Sequence, residues 1–268
     1  MFRRTPLLVS FFAAASKIND DSLRHETLVE PPIDRTVSTW DRNWDKRDTR
    51  VSAPVERLGA ANVSSTGSDG KRTKQKSISR NLLLVRHGQY NINGDKRLTS
   101  MGQKQAELCG QRLSDLGIKF TRFVCSEKIR AVETATIISQ FIQPDAKFHH
   151  DPLLNEGSPV RPVPTPSEMA RKPDLCYHED GPRIEAAFRR YFHRPDADQT
   201  TDSFELFVCH ANVIRYFVCR ALQIPSNAWL RMSLAHCSIT WIKITTSGRV
   251  SLRSLGDTGF IQPNMISI

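Results

Sequence analysis

The sequence lacks the spacings on which common metal and redox sites are built. None of its six cysteines forms a C-x-x-C pair, and no H-E-x-x-H segment is present. We therefore predict neither a zinc site nor a redox-active dithiol. Most of the cysteines lie in apolar surroundings, as Cys125 and Cys209 do. We interpret them as small core residues of a protein from a reducing compartment.

Recognition motifs for nucleic acid are also missing, although the chain is basic. The formal net charge is +10, which suits phosphate, nucleic acid or an anionic membrane surface as a partner. No RNA-binding signature or helix-turn-helix pattern is present, so we predict no nucleic-acid partner. The basic cluster at 71–76 is typical of a solvated linker.

The first residues contain no acid before Asp20. The uncharged run Thr5–Ser16 follows two arginines, but a bilayer span needs roughly 20 apolar residues. We interpret residues 1–18 as a targeting or membrane-anchor segment. The residues alone fit two alternatives equally well: a secretory signal cleaved near Ala13–Ser16, or a mitochondrial targeting segment.

Residues 19–80 are polar and interrupted by proline, glycine and serine, which predicts a flexible arm. Within it stands Trp40-Asp41-Arg42-Asn43-Trp44-Asp45. Large aromatic side chains concentrate at interfaces, so we predict a docking segment. The i, i+4 spacing of Trp40 and Trp44 would place both rings on one face of a short helix. That face would dock on its own domain or on a neighbouring subunit.

The folded domain is predicted at 81–260, followed by a tail at 261–268. The continuous apolar run Leu82–Val85 indicates a strand buried on both faces. Thr99 is a plausible N-cap for a helix that ends at Leu116. Strands and helices alternate after it, which indicates an α/β fold with a mainly parallel sheet flanked by helices. The further predicted elements are strands at 120–125 and 204–209, helices at 131–142, 183–193 and 213–222, and a closing hairpin at 237–255.

Two histidines directly follow buried strands: His87, after Leu82–Val85, and His210. Ligands of open α/β sheets bind beyond the carboxyl ends of strands, so the two histidines are expected to share a crevice. Arg86 supplies a bidentate donor suited to phosphate, and Gly88 would let the backbone approach a ligand. Arg130, beyond another strand end, is placed on the same side. The pattern predicts a phosphate site and no metal centre.

Five motifs occur in an order and spacing that resemble the histidine phosphatase superfamily, also called the phosphoglycerate mutase family. The resemblance covers about Asn81 to Gly259 and implies the phosphoglycerate mutase-like three-layer fold. It is closest to the mitochondrial serine/threonine phosphatases of the superfamily. The matching segments are Leu84–Gly88, Leu98–Ala106, Ser126–Ala135, Leu154–Gly157 and Cys209–Asn212, joined for the mitochondrial members by Arg86–Tyr90, Trp40–Asp45 and Ser254–Phe260.

The resemblance implies a role for each residue of the site. His87 attacks phosphorus and forms a phosphohistidine, while Arg86, Arg130 and His210 surround the phosphoryl oxygens. Glu156 protonates the leaving alkoxide and then activates water. That role requires a raised pKa, which burial of Glu156 could supply although the arginines act in the opposite direction. No cofactor and no metal are implied.

The resemblance also implies partners and a location. The tryptophan motif is a multimerisation motif, so we expect a homo-oligomer assembled through Trp40, Asp41, Asn43, Trp44 and Asp45. Position 42 is Arg where the motif has Pro, and arginine does not fix the backbone as proline does. The expected substrates are phosphorylated proteins, with apoptosis signal-regulating kinase as a candidate. The expected location is the mitochondrion, in association with a membrane, the outer one being favoured.

Two other functions compete with a protein phosphatase. One is a small-molecule phosphatase or phosphoglycerate mutase. Mutases of the family carry a long insertion between the acid and the second histidine, whereas Glu156 and His210 are only 54 residues apart here, which suggests a more open site. The other is a scaffold acting through the tryptophan segment. It is disfavoured because all five expected catalytic positions are filled.

Overall fold

The strand predicted from the run Leu82–Val85 lies at the centre of the protein. A computed structural model describes residues 40–47, 78–142 and 148–268, and in it β1 spans Ser79–Arg86. Leu82 and Leu84 pack into one layer of the core, and Leu83 and Val85 pack into the other. The four side chains are fully buried, as expected of a strand covered on both faces.

In the part of the chain that the structure describes, five further strands and five helices follow, alternating except where α4 follows α3 and β6 follows β5. The strands are β2 (Arg122–Cys125), β3 (His149–His150), β4 (Ser203–Cys209), β5 (Ile239–Thr245) and β6 (Val250–Asp257). The helices are α1 (Ser100–Asp115), α2 (Ile129–Ile142), α3 (Ser167–Ala170), α4 (Asp174–Tyr191) and α5 (Ala211–Ala221). Short 3₁₀ helices span Pro152–Leu154, Ser226–Arg231 and Pro263–Met265.

The six strands form one mixed sheet in the order β3-β2-β4-β1-β5-β6. β1 pairs with β4 in parallel, and β4, β2 and β3 continue the parallel part. β5 runs antiparallel to β1 and forms the closing hairpin with β6. The prediction of a mainly parallel sheet with a closing hairpin is confirmed.

Helices cover both faces of this sheet. α1 and α2 pack with Leu83 and Val85 in one apolar layer, while α4 and α5 pack with Leu82 and Leu84 in the other. The Thr99 side chain accepts a hydrogen bond from the Gly102 N–H and caps α1, as its residue type predicts. The three-layer α/β architecture is therefore confirmed.

The tryptophan segment differs from its prediction. It forms a turn and not a helix, so the two rings do not share a face. Trp44 is buried and its indole N–H donates to the Gly248 carbonyl oxygen at 2.8 Å, whereas Trp40 is 41% exposed. The Asp45 carboxylate accepts hydrogen bonds from the buried Arg194 guanidinium. This part of the predicted flexible arm is thus packed against the domain.

Both predicted domain boundaries fall inside packed structure. β1 begins at Ser79, one residue before the predicted end of the arm. Ile261, in the predicted tail, is buried in the core layer with α1 and α2. α4 also begins at Asp174, nine residues before its predicted start. Its first half buries no side chain, so it carries no apolar period that would reveal a helix.

The prediction for residues 1–18 lies outside the described residues, as does most of the predicted arm. Within residues 40–47, 78–142 and 148–268, no helix has the length and apolar character that a membrane crossing requires.

Candidate active site

The two histidines meet because their strands are parallel neighbours. Arg86 at the end of β1 pairs with Cys209 at the end of β4. The His87 N–H extends this ladder by donating to the Cys209 carbonyl oxygen at 3.0 Å. The rings of His87 and His210 have centroids 5.0 Å apart, and both side chains are buried. The prediction that the two histidines share a crevice depended on this arrangement, in which both follow the carboxyl ends of parallel strands.

His87 is oriented by a hydrogen bond to the next residue. Its Nδ1 lies 2.8 Å from the Gly88 carbonyl oxygen, which can only accept, so Nδ1 carries the proton. Nε2 therefore bears the lone pair, and it accepts a hydrogen bond from Arg130 Nε at 3.1 Å. Burial, followed by the nearby His210, holds the pKa of His87 well below its ordinary value. The ring is neutral at neutral pH and can act as a nucleophile.

Arg130 lies in the first turn of α2, directly beyond the β2 end of the sheet. Its guanidinium carbon stands 4.7 Å from the ring centroid of Tyr90. That ring in turn contacts His87 edge to face at 5.1 Å between centroids. Sequence reasoning missed Tyr90 as a site residue. The signal available for it was its position three residues after His87 in the loop that follows β1.

Arg86 is held by two hydrogen bonds from its terminal nitrogens. Nη1 donates to the Leu234 carbonyl oxygen at 2.5 Å, and Nη2 donates to His236 Nε2 at 3.0 Å. Its Nε is buried without a partner among the described residues. Burial lowers the pKa of Arg86 to about 10, so the group remains cationic at neutral pH. One unpaired N–H of a charged group is therefore available to an anion.

His236 was also missed by sequence reasoning. It precedes β5 by three residues. Because β5 is antiparallel to β1, its amino end lies beside the carboxyl end of β1. The ring of His236 thus reaches the site, with its centroid 5.6 Å from that of His87. An antiparallel partner for the central strand was the signal that could have identified it.

His210 is fixed through its Nε2, which lies 2.8 Å from Ser126 Oγ. The Ser126 hydroxyl donates its own proton to Asn155 Oδ1 at 2.7 Å. That oxygen is identified as an acceptor because it also receives the Glu127 N–H. Ser126 Oγ therefore accepts from His210, whose Nε2 carries the proton. Its Nδ1 is buried with no partner among the described residues. Burial is the largest cause that lowers the pKa of His210 well below its ordinary value, and the charge of Arg130 is the next.

Glu156 lies on a loop that is held by main-chain contacts. Arg183 of α4 donates to the carbonyl oxygens of Asn155 at 2.7 Å and of Glu156 at 3.2 Å. Asn212, in the first turn of α5, donates to the Gly157 carbonyl oxygen at 3.1 Å. The loop therefore has one fixed position between α4 and α5, close to His210.

Opposing influences act on the Glu156 carboxyl group. Burial raises its pKa, whereas the Gly157 N–H and the cations Arg130, Arg86 and Arg215 lower it; the balance is a raised pKa. Burial thus outweighs the arginines, in the direction that a general acid needs. Arg215, one turn into α5, was not predicted as a neighbour of the site. The available signal was its i, i+3 spacing from Asn212, to whose Oδ1 it donates at 3.2 Å.

Gly88 lies at a close main-chain contact that the sequence did not indicate. A Cβ at Gly88 would lie 2.5 Å from the Gly102 carbonyl oxygen. A Cβ at Gly102 would lie 1.9 Å from the Gln89 carbonyl oxygen. The two glycines let the loop after β1 contact the first turn of α1 directly. The close approach seen in the structure is between two stretches of main chain, and the approach of a ligand to Gly88 stays a prediction.

The site as a whole gathers cations around a neutral nucleophile. The structure brings together the five predicted residues His87, Arg86, Arg130, Glu156 and His210. Among the described residues, no group of three histidine, cysteine, aspartate or glutamate side chains is placed to hold a metal ion. Fixed guanidinium groups at a desolvated site are suited to stabilising charge that develops on phosphoryl oxygens.

Comparison with known proteins identifies the family. A model of the histidine phosphatase superfamily (branch 1) matches residues 82–258. The chain belongs to the histidine phosphatase superfamily. Its members are hydrolases and mutases, and the histidine phosphatase fold agrees with the sheet order and helix layers described above.

Individual relatives of this histidine phosphatase are similar over most of its length. The serine/threonine-protein phosphatase PGAM5, mitochondrial, of Xenopus laevis is 44% identical over 95% of this chain and 92% of its own. The protein of the same name from Homo sapiens is 48% identical over 85% of this chain and 80% of its own. Among solved structures, Bacillus stearothermophilus YhfR shares the fold, with a TM-score of 0.53 at 20% identity, over 68% of this chain and 100% of that one.

The depressed pKa of His87 can be measured directly. We expect the His87 imidazole to stay neutral as the pH falls through 6.5, the ordinary value for histidine, because burial and nearby cations disfavour its charged form. Nitrogen NMR titration of the ring, assigned with His87→Asn, checks this. Arg130→Gln removes one cation and is expected to raise the measured pKa. A ring that is already half-protonated at pH 6.5 would contradict the assignment of His87 as a neutral nucleophile.

Proposed function

We propose that this chain is a metal-independent serine/threonine protein phosphatase that works through a phosphohistidine at His87. One observation carries the proposal: the Nε2 lone pair of a neutral, buried His87 faces Arg130 at 3.1 Å. Arg86 lies directly before it in the chain and His210 lies beside it. A phosphoryl group placed at Nε2 would therefore meet the nucleophile and its charge-stabilising partners together.

In the first step, His87 Nε2 attacks phosphorus. The N–P bond forms while the bond from phosphorus to the serine or threonine oxygen breaks. The protonated Glu156 carboxyl group gives its proton to that leaving oxygen. Arg130 exchanges its contact with Nε2 for a phosphoryl oxygen, and Arg86 offers its free Nε–H to another oxygen. The step leaves a phosphohistidine and a Glu156 carboxylate.

In the second step, the Glu156 carboxylate takes a proton from a water molecule that attacks phosphorus. The P–N bond breaks, phosphate leaves the site, and His87 is restored to its neutral form. Glu156 ends protonated, ready for another turnover. Glu156 therefore has to be accessible both as the protonated acid and as the carboxylate during one turnover. Burial raises the pKa of Glu156 while Arg130, Arg86 and Arg215 lower it, and the net direction is upward.

His210 can bind a phosphoryl oxygen through Nδ1 only when its ring takes up a proton. Its Nε2–H is committed to Ser126, so a hydrogen bond between Nδ1 and a phosphoryl oxygen needs one further proton. That proton comes either from the monoester or from solvent when the dianion binds. A bound dianion also offsets the neighbouring cations that disfavour the charged ring. His210 is thus a phosphate ligand that is charged with substrate present and neutral without it.

Proteins are the proposed substrates, rather than small phosphate esters. The curated relatives at 44% and 48% identity are named serine/threonine-protein phosphatases. Mutases of the family carry a long insertion between the acid and the second histidine, whereas Glu156 and His210 are only 54 residues apart in this chain, which suggests a more open site. A small-molecule phosphatase or mutase is the alternative that the experiment below distinguishes.

We further propose that the tryptophan segment assembles the enzyme into a homo-oligomer. Trp44 and Asp45 are bound to the domain by specific hydrogen bonds, to the Gly248 carbonyl oxygen and from Arg194. Residues 48–77, which connect this segment to β1, lie outside the described residues. The same contacts therefore suit a segment from this chain or from a neighbouring one. The exposed Trp40 lines an open cavity of about 400 Å³ with Arg42 and Arg249, which offers a second subunit an aromatic contact.

The proposed location is a mitochondrial membrane, with the outer membrane favoured. The relatives named above are described as mitochondrial. The first residues of this chain are free of acids and contain arginine, a composition typical of mitochondrial targeting. An association with the membrane would come from residues 1–18.

The phosphatase proposal predicts that His87→Ala abolishes turnover of a phosphothreonine peptide, because the nucleophile has no substitute. Acid-labile phosphate should be trapped on the wild-type enzyme after brief mixing. Turnover of the peptide should exceed that of phosphoglycerate and be unchanged by a chelator. Peptide hydrolysis that persists in His87→Ala, or that needs added magnesium, would refute the mechanism. Preferential turnover of phosphoglycerate would refute the proposed substrate class.

The assembly proposal predicts that Trp40→Ala dissociates the oligomer. Truncating a central tryptophan at an interface commonly costs ~2 kcal/mol or more, which raises a dissociation constant by over tenfold. Sedimentation across a concentration series measures the change. Leu175→Ala removes an apolar side chain that is more exposed, at 63%, and lies elsewhere; it should leave the sedimenting species unchanged. Identical sedimentation of the wild type, Trp40→Ala and the Trp40→Ala, Trp44→Ala double variant would exclude an assembly role.

The location proposal predicts that residues 1–30 carry a fused reporter to mitochondria. Replacing Arg3 and Arg4 with glutamate should abolish delivery, because targeting segments of this kind exclude acids. Microscopy with a mitochondrial marker checks both fusions. Delivery of the unmodified fusion to the secretory pathway would instead support a signal peptide.

A further inference from the structure

The Arg86 guanidinium is held by a histidine that no part of the proposed mechanism uses. Arginine has only donors, so in the 3.0 Å contact between Arg86 Nη2 and His236 Nε2 the imidazole nitrogen must accept. Nη1 is fixed at the same time by the Leu234 carbonyl oxygen. These bonds occupy two of the five N–H groups and orient the plane of the guanidinium. The buried Nε–H is among those left free for a phosphoryl oxygen.

An accepting Nε2 requires that the His236 proton lies on Nδ1. That nitrogen is 2.9 Å from Ser267 Oγ, to which it donates. The His236 main-chain N–H also donates to the Ser267 carbonyl oxygen at 2.9 Å. Ser267 therefore holds both the ring and the main chain of His236. Burial lowers the pKa of His236 to about 4, so the ring is neutral at neutral pH and the tautomer is determined by its partners.

Ser267 is itself fixed by Gln105 of α1, which also bonds to the loop that carries the nucleophile. Gln105 Nε2 donates to Ser267 Oγ at 3.0 Å and to the Met265 carbonyl oxygen at 2.6 Å. Gln105 Oε1 accepts the Gln89 N–H at 2.9 Å, two residues after His87. The buried Gln105 thus uses both ends of its amide. The segment 263–268 connects the loop after β1 to His236, and through it to Arg86.

We propose that His236 is a positioning residue that fixes the Arg86 guanidinium for phosphoryl binding, and that Ser267 imposes the tautomer this requires. The inference rests on the proposed phosphatase function. It predicts that removing the accepting nitrogen of His236 weakens phosphate binding and catalysis only by releasing the Arg86 guanidinium. Residues that orient metal-ligating side chains typically change affinity or activity by roughly 10- to 100-fold, and we expect an effect of similar size for a residue that orients a phosphate ligand.

The test is a double-mutant cycle between positions 236 and 86. His236→Leu should lower kcat on a phosphothreonine peptide by roughly tenfold or more and weaken the binding of inorganic phosphate to a similar degree. In an Arg86→Met background, the same substitution should have almost no further effect, because its target is gone. Equal losses in both backgrounds would show that His236 only supports the fold and would overturn the proposal.

Two further variants keep the test decisive if His236→Leu fails to fold. His236→Gln restores an accepting oxygen and should recover most of the lost phosphate affinity. Ser267→Ala should weaken phosphate binding by roughly twofold to tenfold, the effect of one neutral hydrogen bond. It should also move the His236 proton away from Nδ1 in nitrogen NMR spectra. The exposed Ile266 supplies the control Ile266→Ala, which should do neither. An unchanged tautomer and affinity in Ser267→Ala would contradict the proposal.

Failure of the phosphatase function is distinguishable from failure of this inference. If the wild type does not hydrolyse the phosphopeptide but phosphate binding still shows coupling between positions 236 and 86, then the proposed function is wrong and the positioning role stands. If hydrolysis is normal and the coupling is absent, the positioning role is wrong.

Discussion

The parallel pairing of β1 with β4 is the constraint on which the site depends. One ladder sets Arg86 opposite Cys209, and its next bond joins His87 to the end of β4. The two histidines are therefore placed by main-chain geometry before any side-chain contact forms. The antiparallel β5 then adds His236 from the other side of β1. Arg130 and Glu156 follow the ends of β2 and β3, so residues next to the strands β1 to β5 meet at this edge of the sheet.

The arginines at the two ends of this central strand pair differ in whether a carboxylate neutralises them. At the amino end, the buried Arg80 is paired with Glu205 through two hydrogen bonds of 2.7 and 2.8 Å. At the carboxyl end, Arg86 and Arg130 have no such ion pair with any residue that the structure describes. The nearby Glu156 is held toward its protonated form by burial. Uncompensated cations at a desolvated site are costly. A phosphoryl dianion is the group that would relieve this cost.

The sequence predicted most of what local rules govern. The run Leu82–Val85 indicated a central strand because burial on both faces leaves no polar position. His87 and His210 were identified because both directly follow strands. His236 and Ser267 were not, because their place depends on contacts between distant segments. Trp40 and Trp44 were wrongly placed on one face, since a turn does not keep helical spacing and the domain surface accommodates only one of the two rings.

The contact between Gly88 and Gly102 limits how the site can diverge. The loop after β1 and the first turn of α1 meet through main-chain atoms, without space for a Cβ on either side. Substitution cannot adjust this contact gradually, because even alanine would push the nucleophile's loop away from the helix. The loop at Glu156 is held differently, by the side chains of Arg183 and Asn212 bonded to its carbonyl oxygens. A substitution can change those side chains one at a time, so the loop at Glu156 is adjustable in small steps where the contact between Gly88 and Gly102 is not.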